Sequence, residues 1–198
     1  KHNVCNAVAA AAVAIEFDAS LDDIRLGLAE MVAVKGRLNI HQLDDDFKLV
    51  DDTYNANVES IKAGTELLAN YSGRRILILG DMGELGSEAR SYHQEVGEHA
   101  QEMKIDDLIT LGVLSQNSSD AFNKQAINNN NQTGNHFSER NKLMSHLKVL
   151  LENEQQQISI LVKGSRSAHM EYVVKDIVEY HSENAKSNIS SKEGTASC

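Results

Sequence analysis

The sequence predicts an α/β protein: a Rossmann-like, mostly parallel sheet with helices on both faces, preceded by two helices of small residues. Short apolar runs of strand length, RRILILG at 74–80 and ISILVKG at 158–164 among them, recur between longer segments with apolar residues at helical spacing. Strands that alternate with helices of this length imply right-handed crossovers and a parallel sheet covered on both sides. The chain also has no proline among 198 residues, where average usage of about 5% would give roughly ten. Its elements must therefore be punctuated by Gly, Asn and Asp.

Residues 2–16 (HNVCNAVAAAAVAIE) read as a helix whose alanines allow close packing, which favours Cys5 as a small core residue. Residues 20–33 read as a second helix, with Ser20 as N-cap, Asp22 and Asp23 in the first turn, and Ile24, Leu28 and Met31 along one face. From Gly36 the period shortens to two. GRLNIHQL, a turn at Asp44–Asp46 and FKLVDD predict a hairpin. There follow a helix over 57–70, a strand over 74–80, a helix over 87–103 and a strand over 107–112. A further helix over 139–153, a strand over 158–164 and a last helix over 167–181 complete the core. Residues 115–136, rich in asparagine, read as a polar surface connection with a short helix near Asp120–Gln125. Residues 182–198 lack apolar periodicity and read as a flexible tail.

Composition narrows the function. Twenty-nine acidic against nineteen basic residues give a net charge of −10, which argues against nucleic acid and anionic membranes as general partners. Cys5 and Cys198, the two cysteines, supply neither a disulfide framework nor a four-ligand metal site, so a reducing, cytoplasmic setting is expected. No apolar run approaches the length of a membrane span, and the alanine-rich start lacks a cleavage region. Opening on Lys1 directly into a helical pattern, the chain reads as a fragment of a longer polypeptide.

In an open parallel sheet, ligands collect at the C-terminal strand ends, where loops and helix N-termini offer unpaired N–H groups. Three such ends carry unusual polar residues. DDTYNAN (51–57) places Asp51 and Asp52 at the sheet mouth, suited to ribose hydroxyls or a cation, with Asn55 and Asn57 at a helix start; capping alone would also explain them. DMGELG (81–86) turns on its glycines and offers Asp81 and Glu84 to an ammonium group or a metal-bound water. In KGSRS (163–167), Lys163, Ser165, Arg166, Ser167 and the backbone amides form an anion cradle for a carboxylate or phosphate, or merely cap the last helix. Arg37 can reach a phosphate. Neither a GxGxxG fingerprint nor a GxxxxGK[ST] phosphate loop occurs, the histidines show no metal-ligand spacing, and His93, His99 and His169 read as solvated helix residues.

In order along the chain, HNVCNAVAAAA (2–12), VKGRL (34–38), DDTYNAN (51–57), GDMGELG (80–86) and VKGSRSAHME (162–171) resemble the Mur ligase family, on the branch that adds a D-alanyl-D-alanine dipeptide. The resemblance implies that residues 1–34 end a central ATP-binding domain and that 35–181 form the C-terminal domain, with 182–198 as tail. It implies an ATP- and Mg²⁺-dependent C–N ligase of peptidoglycan precursor synthesis, cytoplasmic and monomeric, taking UDP-N-acetylmuramoyl-tripeptide and D-alanyl-D-alanine through an acyl phosphate. It further implies that Asn6, beside His2 and Asn3, lies near the adenine, that Arg37 reaches the ATP phosphates, and that Asp52 binds the ribose. Tyr54, Asn55 and Asn57 continue toward the nucleotide. The resemblance likewise implies that Lys163, Ser165, Arg166 and Ser167 hold the incoming dipeptide, with Asp81 and Glu84 lining the same pocket. The phosphate loop, the catalytic lysine and most magnesium ligands of the family fall outside this sequence, so the fragment alone is expected to be inactive.

An alternative from another class is a stand-alone receiver-like binding or regulatory module, with Lys163 and Asp81 imitating its lysine and phosphoacceptor. That reading leaves HNVCN and VKGRL without a purpose. A sister ligase taking another amino acid is disfavoured because KGSRS stands where the diaminopimelate-adding relative has a DNPR type of motif.

Overall fold

The computed structural model describes residues 2–31, 34–125 and 132–194, with side chains over 4–31, 34–124 and 132–184. The chain divides into two compact units, Lys1–Val34 and Lys35–Cys198.

The first unit contains α1 (His2–Glu16) and α2 (Leu21–Ala29). A capping box starts α2: the Ser20 hydroxyl accepts from the Asp23 N–H, and the Asp23 carboxylate accepts from the Ser20 N–H at 3.0 Å. No residue of α2 is buried, and Cys5, expected in a core, is exposed. Two short helices enclose too little volume to form a core of their own.

The second unit is a six-stranded sheet in the order β1-β2-β6-β3-β4-β5. The strands are β1 (Asn39–Gln42), β2 (Phe47–Asp52), β3 (Arg74–Gly80), β4 (Asp107–Leu111), β5 (Thr133–Phe137) and β6 (Ile158–Lys163). Among the described residues only β1 runs antiparallel, paired to β2 through the predicted hairpin. The helices are α3 (Val58–Ala69), α4 (Ala89–Glu102), α5 (Gln116–Gln125), α6 (Arg140–Glu152) and α7 (Glu171–Gly194). Apolar side chains on opposite sides of the strands build two cores. One gathers Ile76, Ile78, Ile160 and Val162 with Leu143 and Leu147 of α6 and Val173 and Ile177 of α7. The other joins Leu77, Leu79, Leu108 and Leu161 to Ile61 of α3, Val96 of α4 and Phe122 of α5. Strands buried on both faces are why RRILILG and ISILVK read as continuous apolar runs.

Two expectations are corrected. Residues 115–136 are not merely a connection, since α5 and the edge strand β5 lie there; residues 126–131 of it fall outside the described ones. The α5 contact with α4 uses small polar residues: Ser118 is buried, its hydroxyl donates to the His93 carbonyl at 2.6 Å, and the Gly97 Cα lies against the Ser118 backbone. Past the expected helix end at His181, α7 continues to Gly194, within the segment read as a flexible tail. Among the described residues no helix is long and apolar enough to cross a membrane.

Candidate functional site

The chain runs β2, β3, β4, β5 across the sheet and then returns through α6 to insert β6 between β2 and β3. Helix α7 leaves β6 on one face while α3 and α4 leave β2 and β3 on the other. The strand ends on either side of β6 therefore open a crevice, the place where ligands bind open α/β sheets. The three motifs singled out in the sequence meet there.

After β2, Asp51 is buried and turns inward, its carboxylate accepting the Thr53 N–H at 3.1 Å and the Thr53 hydroxyl at 2.7 Å. Asp52 faces the neighbouring strand end and receives the Lys163 ammonium at 2.6 Å. Its other oxygen accepts the Leu38 N–H at 3.2 Å, and the Tyr54 N–H donates to the Gly36 carbonyl at 2.8 Å. The turn Gly36–Leu38 is thus moored on the 51–57 loop. Gly36 is required there: its φ is +75°, and a Cβ would strike the Tyr54 backbone. Arg37, exposed, lays its guanidinium over the exposed Tyr54 ring, 4.5 Å from the centroid. Asn55 bonds the Ala56 N–H, and Asn57 is the N-cap of α3 in a capping box with Ser60.

After β3, Asp81 does not open into the crevice. Its carboxylate accepts the N–H groups of Val113 and Ser115 at 3.0 and 2.7 Å, and its carbonyl accepts the Ser165 N–H at 2.9 Å. Burial alone would push its carboxyl pKa up, but the Val113 and Ser115 N–H groups outweigh it and hold the group below the ordinary carboxylate range. Glu84 is exposed, with φ +60°. The same loop is held by a residue the sequence reading set aside. His93, expected to be solvated, is buried on α4; its Nε2 accepts the Met82 N–H at 3.0 Å, and its Nδ1–H donates to the Ala89 carbonyl at 2.6 Å. Its spacing of four residues from the α4 start is the one available signal, and that does not distinguish it from a surface histidine. His169 is exposed at φ +50°, and His99 is half-buried.

After β6, Lys163 is buried and Arg166 extends outward with a side chain 71% exposed, 3.6 Å from Glu171. Ser165 is buried, its hydroxyl 3.1 Å from that of the exposed Ser167. Both hydroxyls lie beside Gly83 of the preceding loop. Arg37, Tyr54, Glu84, Arg166 and Ser167 are thus exposed at one end of the sheet, Asp52 is partly buried against Lys163, and Lys163, Asp81 and Ser165 are buried or engaged beneath them. Asn6 is exposed on α1 in the first unit; His2 and Asn3 lie on the same helix, and their side chains fall outside the described ones.

The chain is 45% identical over 179 residues to UDP-N-acetylmuramoyl-tripeptide–D-alanyl-D-alanine ligase of Escherichia coli K12, covering 90% of this chain and 37% of the relative. The enzyme of the same name from Haemophilus influenzae is 38% identical, over 88% of this chain and 36% of its own length. In structure the chain is similar to MurF from Acinetobacter baumannii, with a TM-score of 0.77 at 32% identity, covering 90% of this chain and 38% of that one. It therefore spans between a third and two fifths of the relatives it matches. The family model described as Mur ligase, glutamate ligase domain, matches residues 36–166, across the hairpin, the parallel sheet and the KGSR loop. The chain belongs to the Mur ligase family.

Proposed function

We propose that this chain is the C-terminal part of an ATP-dependent ligase that joins D-alanyl-D-alanine to UDP-N-acetylmuramoyl-tripeptide in cytoplasmic peptidoglycan precursor synthesis, and so serves wall growth, cell shape and division. In this reading residues 1–34 end the ATP-binding domain and 35–181 form the domain that receives the dipeptide. The observation that carries it is the crevice around β6, where an exposed cation and hydroxyl (Arg166, Ser167) with the buried Ser165 hydroxyl beneath follow β6, and a cation stacked on a tyrosine near a carboxylate (Arg37, Tyr54, Asp52) stands at the end of the neighbouring β2.

The two halves fit different ligands. A guanidinium paired with hydroxyl donors suits a carboxylate, which assigns the dipeptide C-terminus to Arg166, Ser165 and Ser167. Arg37 suits a phosphate, and Asp52, its side chain 14% exposed, can accept a ribose hydroxyl beside the Tyr54 ring. Asn6, with His2 and Asn3, would border the adenine, and Asn55 and Asn57 shape the loop that carries Tyr54. Glu84, exposed and without a hydrogen-bond partner among the described residues, is free for the dipeptide ammonium. Bound ATP transfers its γ-phosphoryl group to the tripeptide carboxylate and leaves as ADP, giving an acyl phosphate, a far better acyl donor whose carbonyl loses inorganic phosphate when the amine adds. The crevice orients the dipeptide amine toward that carbonyl and excludes water that would hydrolyse it. Among the described residues no group of three or more His, Cys, Asp or Glu could hold a metal ion. This reading accordingly assigns the Mg²⁺ ligands to the rest of the ligase, and the 198-residue chain alone is expected to show no turnover.

The test is substitution in the complete ligase. Arg166→Ala should raise KM for D-alanyl-D-alanine more than for ATP. Equal rises, or turnover by the isolated chain, would contradict the assignment.

A further inference from the structure

We propose that Lys163 is a positioning residue for the nucleotide half of the crevice: its ammonium fixes the Asp52 carboxylate and the Asn55 carbonyl across the β2–β6 boundary, while its backbone opens the loop bearing the dipeptide-binding hydroxyls. This deepens the functional reading above and rests on it.

The placement begins with register. Asp52 and Lys163 are paired positions in the parallel β2–β6 ladder and are the last residues of their strands. Their side chains therefore leave the sheet on the same side at the crevice mouth. Burial then removes the ammonium from solvent. The Lys163 side chain is 3% exposed, and a lysine at that depth must be met by an acceptor or lose its charge. It is met by two: Asp52 Oδ2 at 2.6 Å and the Asn55 carbonyl at 2.9 Å. An ammonium so engaged is not offered to a dipeptide carboxylate, in contrast to the exposed Arg166.

The consequence is transmitted through Asp52. Its second oxygen holds the Leu38 N–H, and Leu38 sits at φ +50°, a backbone state that a β-carbon disfavours and that its neighbours must maintain. Arg37 precedes it and lies over the Tyr54 ring. Lys163, Asp52, Leu38 and Arg37 thus form one mechanical series, and the carboxylate and the guanidinium assigned to the nucleotide are both set by it. A buried ion pair adds little net stability compared with apolar residues of similar volume, so its contribution is sought in geometry.

The experiment has two arms. In the 198-residue chain, ¹⁵N NMR should show one slowly exchanging lysine ammonium, assigned to Lys163 and correlated with the Asp52 side-chain carboxylate carbon. An ammonium exchanging as fast as those of surface lysines would overturn the proposal without any substitution. In the complete ligase, Lys163→Met should raise KM for ATP by at least about tenfold while KM for D-alanyl-D-alanine stays within about twofold. A rise confined to D-alanyl-D-alanine, or equal rises for both, would overturn it. A wild-type ligase without activity toward these substrates would instead refute the functional reading and leave the NMR result standing.

Discussion

Replacing Asp81 by alanine removes an acceptor on which two strand-end loops depend, and the cost can be worked from its partners. Its carboxylate receives the N–H of Val113, a residue 78% exposed, and that of Ser115, which is 0% exposed. Water replaces the first bond in the variant and cannot reach the second. A hydrogen bond to a charged acceptor contributes about 1.5–3 kcal/mol, and a stranded buried donor costs about 1–3 kcal/mol. With the Ser115 bond dominant, Asp81→Ala should destabilise the protein by about 2–4 kcal/mol. For a domain of about 150–250 residues each kcal/mol lowers Tm by roughly 2–4 °C, so a fall of about 4–16 °C is expected. Asp81→Asn retains one acceptor oxygen and should lose about half as much.

Urea and thermal unfolding of the chain, followed by circular dichroism, measure both. Acidity supplies an internal control. Although burial raises the Asp81 pKa, its backbone donors lower it further, so the folded value lies below the unfolded one. The unfolded chain then binds more protons between the two values, and the Asp81 contribution is present above the unfolded pKa of about 3.9 and lost as pH falls through the folded pKa. The stability gap between wild type and Asp81→Ala should close over that window. A variant within about 0.5 kcal/mol of wild type at neutral pH, or a gap unchanged in acid, refutes the clamp.

Other outcomes follow from single contacts. Gly97→Ala would normally gain about 1 kcal/mol inside a helix, but its Cβ meets the Ser118 backbone, so a net loss of about 1–3 kcal/mol is expected in urea unfolding. Arg74→Ala leaves the 1% exposed Asp107 carboxylate without its cation and should cost about 3–5 kcal/mol in the same assay. Arg166→Ala, by contrast, should leave stability within about 0.5 kcal/mol of wild type, because the side chain is 71% exposed. Asn57→Ala removes the α3 cap and should cost about 1 kcal/mol, read by the same denaturation.

Much of the fold and the outline of the site were legible one segment at a time. Strands buried on both faces, such as Arg74–Gly80 and Ile158–Lys163, announce themselves as apolar runs. The capping residue Ser20 and the turn at Asp44–Asp46 are local chemistry of the same kind. Edge strand β5 (TGNHF) was hidden because no residue of it is fully buried, leaving no apolar run to read. Helix α5 was obscured for a related reason: it meets α4 through Ser118 and Gly97, contacts made by hydrogen bonding and close approach rather than apolar area.

By itself the sequence determined which residues stand at strand ends, because period and composition change there within a few positions. The three polar motifs, their glycines and their family likeness were all visible on that basis. Which of those residues are left exposed and which are engaged in holding others in place was decided only by the tertiary structure. Lys163 and Asp52 are 111 residues apart, and they pair because the chain turns back to insert β6 beside β2. Asp81 reaches Val113 and Ser115, and His93 reaches Met82, only once β3, α4 and β4 are packed together. Whether a charge is free or engaged depends on what folding brings within about 3 Å of it, and strand order, which sets those distances, is a property of the whole packed sheet.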